Sequence, residues 1–328
     1  MKRFTWILAV ALLSVFAIGV QTSHPQAPAP PPPQPPAGTP SWAFAVPDPV
    51  QPPAMDENKQ IGVPGSTKVY TWAQVEDQFN TVDWFPEEGP ARAAIVLKGR
   101  APAARACGVC HLMSGMGHPE SSDLAGLPAA YMQKQMADFK SGVRKDYARM
   151  NGIAAATTEE EWRQASEWFA SLKPFTWYKV VESTTVPKTY LSGGRMRYPH
   201  PDGGTEPIGN RIIVVPQDVD RVMARDPRVG FIAHVPPGSV AKGEALATTG
   251  GAGKTIPCAI CHGAGLRGLG EVPRIAGGHP TYIARQLYLY KLGLSNGAAS
   301  ALMKPTVANL TDDDILALAA YLASLPVN

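Results

Sequence analysis

The sequence predicts an all-α protein of two homologous units, joined by a long, mostly irregular insert with some β character. Three observations predict it. The stretches ACGVCH (Ala106–His111) and PCAICH (Pro257–His262) hold all four cysteines of the 328-residue chain, as two copies of C-x-x-C-H. The surroundings of the two copies match at an offset of 151 residues. Beyond each copy, apolar residues recur at intervals of three and four, the spacing of one buried helix face.

The N-terminus reads as an export signal. Lys2 and Arg3 precede an apolar run of 15 residues, Trp6–Val20, short of the roughly 20 that span a bilayer. Residues 1–20 are thus a signal peptide or, alternatively, an uncleaved anchor in the inner membrane. Residues 21–40 are a Pro-rich spacer. Nine of the 16 positions from Pro25 to Pro40 are proline, which favours extended polyproline II over helix or sheet. Residues 41–87, with TWAQVEDQFNTVDWFP, read as an irregular wrap carrying one short helix.

The first unit is assigned to residues 88–174 and the second to 238–328. Short helical segments in PARAAIVLKG and SVAKGEALATTG precede the motifs. After them, GLPAAYMQKQMADFKSG lies over GGHPTYIARQLYLYKLG, with Tyr131 on Tyr282 and Gln135 on Gln286. Met132, Met136, Phe139 and Val143 fall on Ile283, Leu287, Tyr290 and Leu294, one amphipathic helix in each unit. A two-residue insertion then makes the offset 153. Thr158 and Glu161 match Thr311 and Asp314 as helix-starting boxes. Trp162, Ala165, Phe169 and Leu172 match Ile315, Leu318, Leu322 and Leu325 as a second helical stripe. Residues 175–237 form the connecting insert, with strand-like RIIVVP and GFIAHVPPG around a helical DVDRVMARD. That is too long for a bare linker, so it should pack across both units.

The formal net charge is +3, and about +1 without Lys2 and Arg3. No polyanion-binding field follows from that balance, so nucleic acid is not expected as a partner. In an exported chain, paired cysteines suggest disulfides or a zinc site. Here 147 residues separate Cys110 from Cys258, and a His follows each pair. C-x-x-C-H is the attachment signal of c-type haem, whose vinyl groups take the two thiols while the adjacent imidazole reaches the iron. Two covalently bound haem c groups are therefore expected, on Cys107, Cys110 and His111 and on Cys258, Cys261 and His262.

The repeat also selects the ligands on the far side of each iron. Met303 is the only methionine after His262, and at offset 153 it matches Met150. These lie 41 and 39 residues beyond their histidines, in loops between the two helices of each unit. A thioether favours reduced iron and raises the reduction potential. Met113, Met116, Met132 and Met136 have no methionine opposite them; the first two read as loop residues and the last two as core. His118, His279, His200 and His234 also lack a repeat partner and read as surface or structural residues.

Taken together, these residues resemble the class I c-type cytochromes, and among them the tandem two-haem group typified by cytochrome c4. The resemblance rests on both C-x-x-C-H motifs, on Tyr131, Gln135 and the Phe139–Gly142 stretch, and on Met150 and Met303 before helices ending FASL and LASL. It covers roughly half the chain. It implies helices packed around each haem, an N-terminal helix crossing the C-terminal one, and electron transfer in the periplasm. It further implies a proline carbonyl holding the proximal imidazole. Pro273 fits that role, while its counterpart is Ser122, so His111 should be supported differently. The expected function is a periplasmic carrier of single electrons between respiratory or dehydrogenase partners, with a redox donor and acceptor and no substrate chemistry. A bound electron-transfer subunit of a dehydrogenase complex is the alternative; a dihaem peroxidase is less favoured, because paired methionines close both irons.

Overall fold

The computed structural model describes residues 35–45, 55–146, 148–192 and 195–327. The expected signal or anchor and most of the Pro-rich spacer lie outside the described residues. No helix among the described residues is long and apolar enough to cross a membrane.

Two short strands, β1 (Gln60–Ile61) and β2 (Tyr70–Thr71), pair antiparallel ahead of α1 (Trp72–Glu76), which a Thr71–Gln74 capping box starts. This is the one helix expected in the wrap. Then follow α2 (Ala94–Leu97), α3 (Gly108–His111, the first motif), α4 (Ala129–Ser141), α5 (Met150–Ala156) and α6 (Glu159–Ser171). The insert supplies β3 (Tyr178–Glu182), β4 (Thr185–Pro187), β5 (Thr189–Leu191), β6 (Arg197–Pro199), β7 (Thr205–Pro207) and β8 (Ile213–Pro216). It continues with α7 (Val219–Met223) and β9 (Phe231–Val235). The chain ends in α8 (Ser239–Thr249), α9 (Ala259–His262, the second motif), α10 (Pro280–Lys291), α11 (Ser300–Val307) and α12 (Asp312–Ser324).

The repeat is visible in the hydrogen bonds. Gly117 N–H donates to the His111 carbonyl at 2.9 Å, and Gly268 N–H to the His262 carbonyl at 2.8 Å. Gly126 N–H reaches the Phe169 carbonyl at 3.0 Å, and Gly277 N–H reaches that of Leu322 at 2.8 Å. Both helix-starting boxes form: Thr158 with Glu161 and Thr311 with Asp314. The α4 stripe is one turn shorter than its spacing suggested. Gly142, at φ 77°, ends the helix before Val143, which is 39% exposed.

The first helix of each unit differs. In the second, α8 crosses α12 so closely that a Cβ on Gly243 would lie 2.0 Å from the Ala317 carbonyl oxygen. In the first, only the four residues of α2 are helical, with Pro90 and the positive-φ Gly89 a few residues upstream.

The insert is more ordered than its composition suggested. Its strands β3, β9 and β8 form a sheet in that order, with β3 parallel to β9 and β9 antiparallel to β8. One core spans this sheet, the second unit, Leu112 and Met116 of the first, and the wrap residues Trp42, Ala43 and Phe44. The first unit keeps a smaller core of its own around Ile95, Leu127, Met132, Trp168 and Phe169.

Candidate functional site

Each motif forms a single helical turn. The His111 N–H donates to the Cys107 carbonyl at 3.1 Å, and the His262 N–H to that of Cys258 at 2.9 Å. Such a turn carries both thiols and the imidazole on one short arc. The residue after each histidine swings the chain away with a positive φ, 58° at Leu112 and 76° at Gly263. A Cβ at Gly263 would meet the Gly268 carbonyl oxygen at 2.5 Å, so the second turn needs a glycine.

The two imidazoles are oriented alike. His111 Nδ1 lies 2.8 Å from the Ser122 carbonyl oxygen, and His262 Nδ1 lies 2.8 Å from that of Pro273. A carbonyl only accepts, so Nδ1 carries the proton in both rings. Burial lowers the pKa of both imidazoles, although these hydrogen bonds act against it, so the rings are held neutral. Nε2 is then an unprotonated donor atom in each. The expected difference in support does not arise. The acceptor is a backbone carbonyl, so a serine serves as well as a proline.

A cavity of about 650 Å³ runs past both motifs. Its walls include Cys107, Cys110, His111 and Met150 of the first unit and Cys258, Cys261, His262 and Met303 of the second. All eight residues singled out by sequence therefore face one space. Ile95, Phe139, Trp162 and Phe169 line one end, and Ile283, Leu287, Leu310 and Leu322 the other. No disulfide joins the four cysteines. Burial pushes Cys107 up to about 12 and raises Cys110 and Cys258 as well. No group of three His, Cys, Asp or Glu side chains suited to a metal ion occurs among the described residues.

The methionines sit differently from expectation. Met150 opens α5 and Met303 lies within α11, both half-buried, where loops were anticipated. Alanine-rich sequence around each favours a short helix. The Asp146 side chain also accepts the Ala148 and Met150 N–H groups at 2.8 Å and so caps α5.

Comparison with known proteins identifies the family. The family description "Cytochrome c" matches residues 240–326. Cytochrome c-554(548) of Halomonas halodenitrificans is 36% identical over 75 residues, which cover 90% of it and 23% of this chain. The chain belongs to the cytochrome c family. The cytochrome is also 28% identical over 232 residues to a thiosulfate dehydrogenase electron acceptor of Thiomonas intermedia, covering 69% of this chain and 82% of that one. Cytochrome c4 of Pseudomonas aeruginosa is 26% identical over 233 residues, 69% of this chain and 87% of its own. Those alignments are longer than either repeat, so the c4-like resemblance runs through both. It is an electron-transfer cytochrome.

The residues present fit covalently bound haem c. Paired thiols, a neutral imidazole with a free Nε2 and a soft thioether open into a largely apolar space, which is the donor set such a group needs. Sequence reading missed three contributors. The Ser122 carbonyl could not be found from its side chain. Asp123 and Arg274, ion-paired across the units, stand at one repeat position with opposite charges. Arg144 has a serine, Ser295, opposite it in the repeat.

Surroundings of the two motifs are unequal. Arg225 of the insert donates to the Val109 carbonyl inside the first motif, and Val109 is 2% exposed. Its counterpart Ile260 is 65% exposed. His118 and His279 are buried rather than superficial. His279 Nε2 lies 2.6 Å from the Met116 carbonyl oxygen and must donate, leaving Nδ1 to accept the Tyr178 hydroxyl of β3. The insert thus makes side-chain hydrogen bonds to both units.

Proposed function

We propose that this cytochrome is an exported carrier of single electrons in the periplasm, with two haem groups and no substrate chemistry of its own. Its haem-bearing units are residues 88–174 and 238–328, joined by the 175–237 insert. The observation that carries the reading is the matched pair of histidines, each with Nδ1 fixed on a backbone carbonyl at 2.8 Å and Nε2 free toward a cavity shared with a methionine. When bound, haem supplies the one-electron iron couple. Cys107 and Cys110 would hold one group and Cys258 and Cys261 the other. His111 with Met150, and His262 with Met303, would ligate the two irons. The carbonyls of Ser122 and Pro273 fix each ring's tautomer and tilt. The apolar walls exclude water, and the thioethers favour the reduced state.

Mass spectrometry of the denatured protein should show two haem additions that survive acid extraction. One addition, or none, would refute the reading.

The likeness to a thiosulfate dehydrogenase electron acceptor favours a second reading, in which the cytochrome stays bound to a dehydrogenase that reduces it. Copurification with such an enzyme at high salt would select this reading over a diffusing carrier.

A further inference from the structure

Arg144 lies two residues beyond the glycine that ends α4, and it is 4% exposed. Its Nη1 donates to Gln135 Oε1 at 2.5 Å, and its Nη2 to Gln286 Oε1 at 2.7 Å and Tyr282 Oη at 3.1 Å. All three acceptors are neutral. Its Nε has no hydrogen-bond partner. The nearby interface ion pairs, Asp123–Arg274 and Glu120–Arg285, leave it out. A guanidinium has five N–H donors, so its bonds to Gln135, Gln286 and Tyr282 leave two unused. A buried cation without an anion is costly enough that folds rarely retain one. The cavity wall that includes Arg144 also includes both C-x-x-C-H motifs.

Its position is symmetric between the units. Lys145 N–H donates to the Leu294 carbonyl and Asn296 N–H to that of Val143, both at 2.8 Å. At offset 151 each of these bonds is the image of the other. Arg144 pairs across this bridge with its own counterpart, Ser295, and so stands on an approximate two-fold axis. Gln135 and Gln286 are counterparts too, and both lend it an oxygen. One cation therefore faces two equivalent half-sites, where a second arginine would have repelled it.

We infer that Arg144 is a shared counter-cation, holding an acidic side chain of the haem in each unit and raising both reduction potentials together. This rests on the two-haem reading above. A fixed positive charge in a low-dielectric site favours the less positive, reduced iron.

The test uses holoprotein whose two haems have been counted by mass spectrometry; fewer than two in the wild type would fault the underlying reading instead. Arg144→Gln should lower both potentials by at least tenfold in the reduction equilibrium, ~59 mV each for a one-electron couple. Arg144→Lys, which keeps the charge, should restore most of that shift. Two attached haems with unchanged potentials, or a fall in one alone, would overturn the inference. The wild type gives a reading that no folding defect can spoil. Carboxylates held by a permanent cation stay ionised, whereas buried ones without it would titrate within about pH 5–8. Both potentials should be flat across that window, and a proton-linked slope in either would overturn the inference as well.

Discussion

Asp123 and Arg274 occupy the same position in the two repeats and are ion-paired with each other, 2.5 Å apart and both about nine-tenths buried. The residues just before them, Ser122 and Pro273, give their carbonyls to His111 and His262. The pair therefore clasps the two histidine-holding loops together. Opposite charges at one repeat position suit unlike units only, since two first units would set Asp against Asp.

Removing one member should be worse than removing both. Asp123→Ala leaves the Arg274 guanidinium buried and unpaired, which should cost about 3–5 kcal/mol. Asp123→Leu with Arg274→Met should come within about 1–2 kcal/mol of the wild type, because a packed apolar pair replaces a desolvated ionic one. Urea unfolding of the holoprotein measures both. Equal losses in the single and double variants would show that the ion pair is not what joins the loops.

Ser122→Ala should leave both potentials and the visible spectrum unchanged. The His111 ring is held by the backbone of residue 122, and the serine side chain takes no part in that bond. The test is worthwhile because the sequence alone points the other way, toward a different support for His111 where proline is missing. A change in one redox wave would restore that expectation.

Asp314 should contribute to acid sensitivity. Burial would raise its carboxyl, but hydrogen bonds from Lys254, the Thr311 N–H and Lys242 outweigh that and hold it well below the usual range. Lys254 Nζ lies 2.8 Å from one oxygen and Lys242 Nζ 2.9 Å from the other. A carboxyl depressed in the native state stabilises the fold above its unfolded pKa of about 3.9 and loses that contribution as pH falls toward the native value. Asp314→Asn should lower stability at neutral pH and flatten the decline between about pH 5 and pH 3. Urea midpoints across that range decide it. A wild-type slope kept in the variant would assign the acid sensitivity elsewhere.

How much was legible follows from where the repeat is exact and where it is broken. Met150 was singled out because Met303 stands alone after His262, and both caps were found because Thr158–Glu161 and Thr311–Asp314 are local patterns. What the repeat could not show lies where its copies differ. Arg144 faces Ser295, Asp123 faces Arg274, and an alignment scores both as mismatches, although in the fold each pair meets. The sheet was half visible: β8 and β9 carry β-branched runs, but β3 pairs in parallel with a strand more than 50 residues away, and no local signal encodes that. Val143 was misplaced because apolar spacing continued past a glycine whose left-handed backbone had already ended the helix.

The methionines decide whether this cytochrome carries electrons or performs catalysis. If Met150 and Met303 each occupy the sixth position, neither iron has a place for carbon monoxide or peroxide. The reduced wild-type protein should then bind no carbon monoxide at neutral pH and show no peroxide turnover. Met303→Ala should keep its haem, because Cys258, Cys261 and His262 are untouched, but lose the thioether-to-iron charge-transfer band at one site. That site should become high-spin or water-ligated and bind carbon monoxide. Its potential should fall by more than tenfold in the reduction equilibrium, ~59 mV or more. Met150→Ala should do the same at the first site alone. Rapid carbon monoxide binding by the unaltered protein, with peroxide consumption, would make it a peroxidase and end the carrier reading.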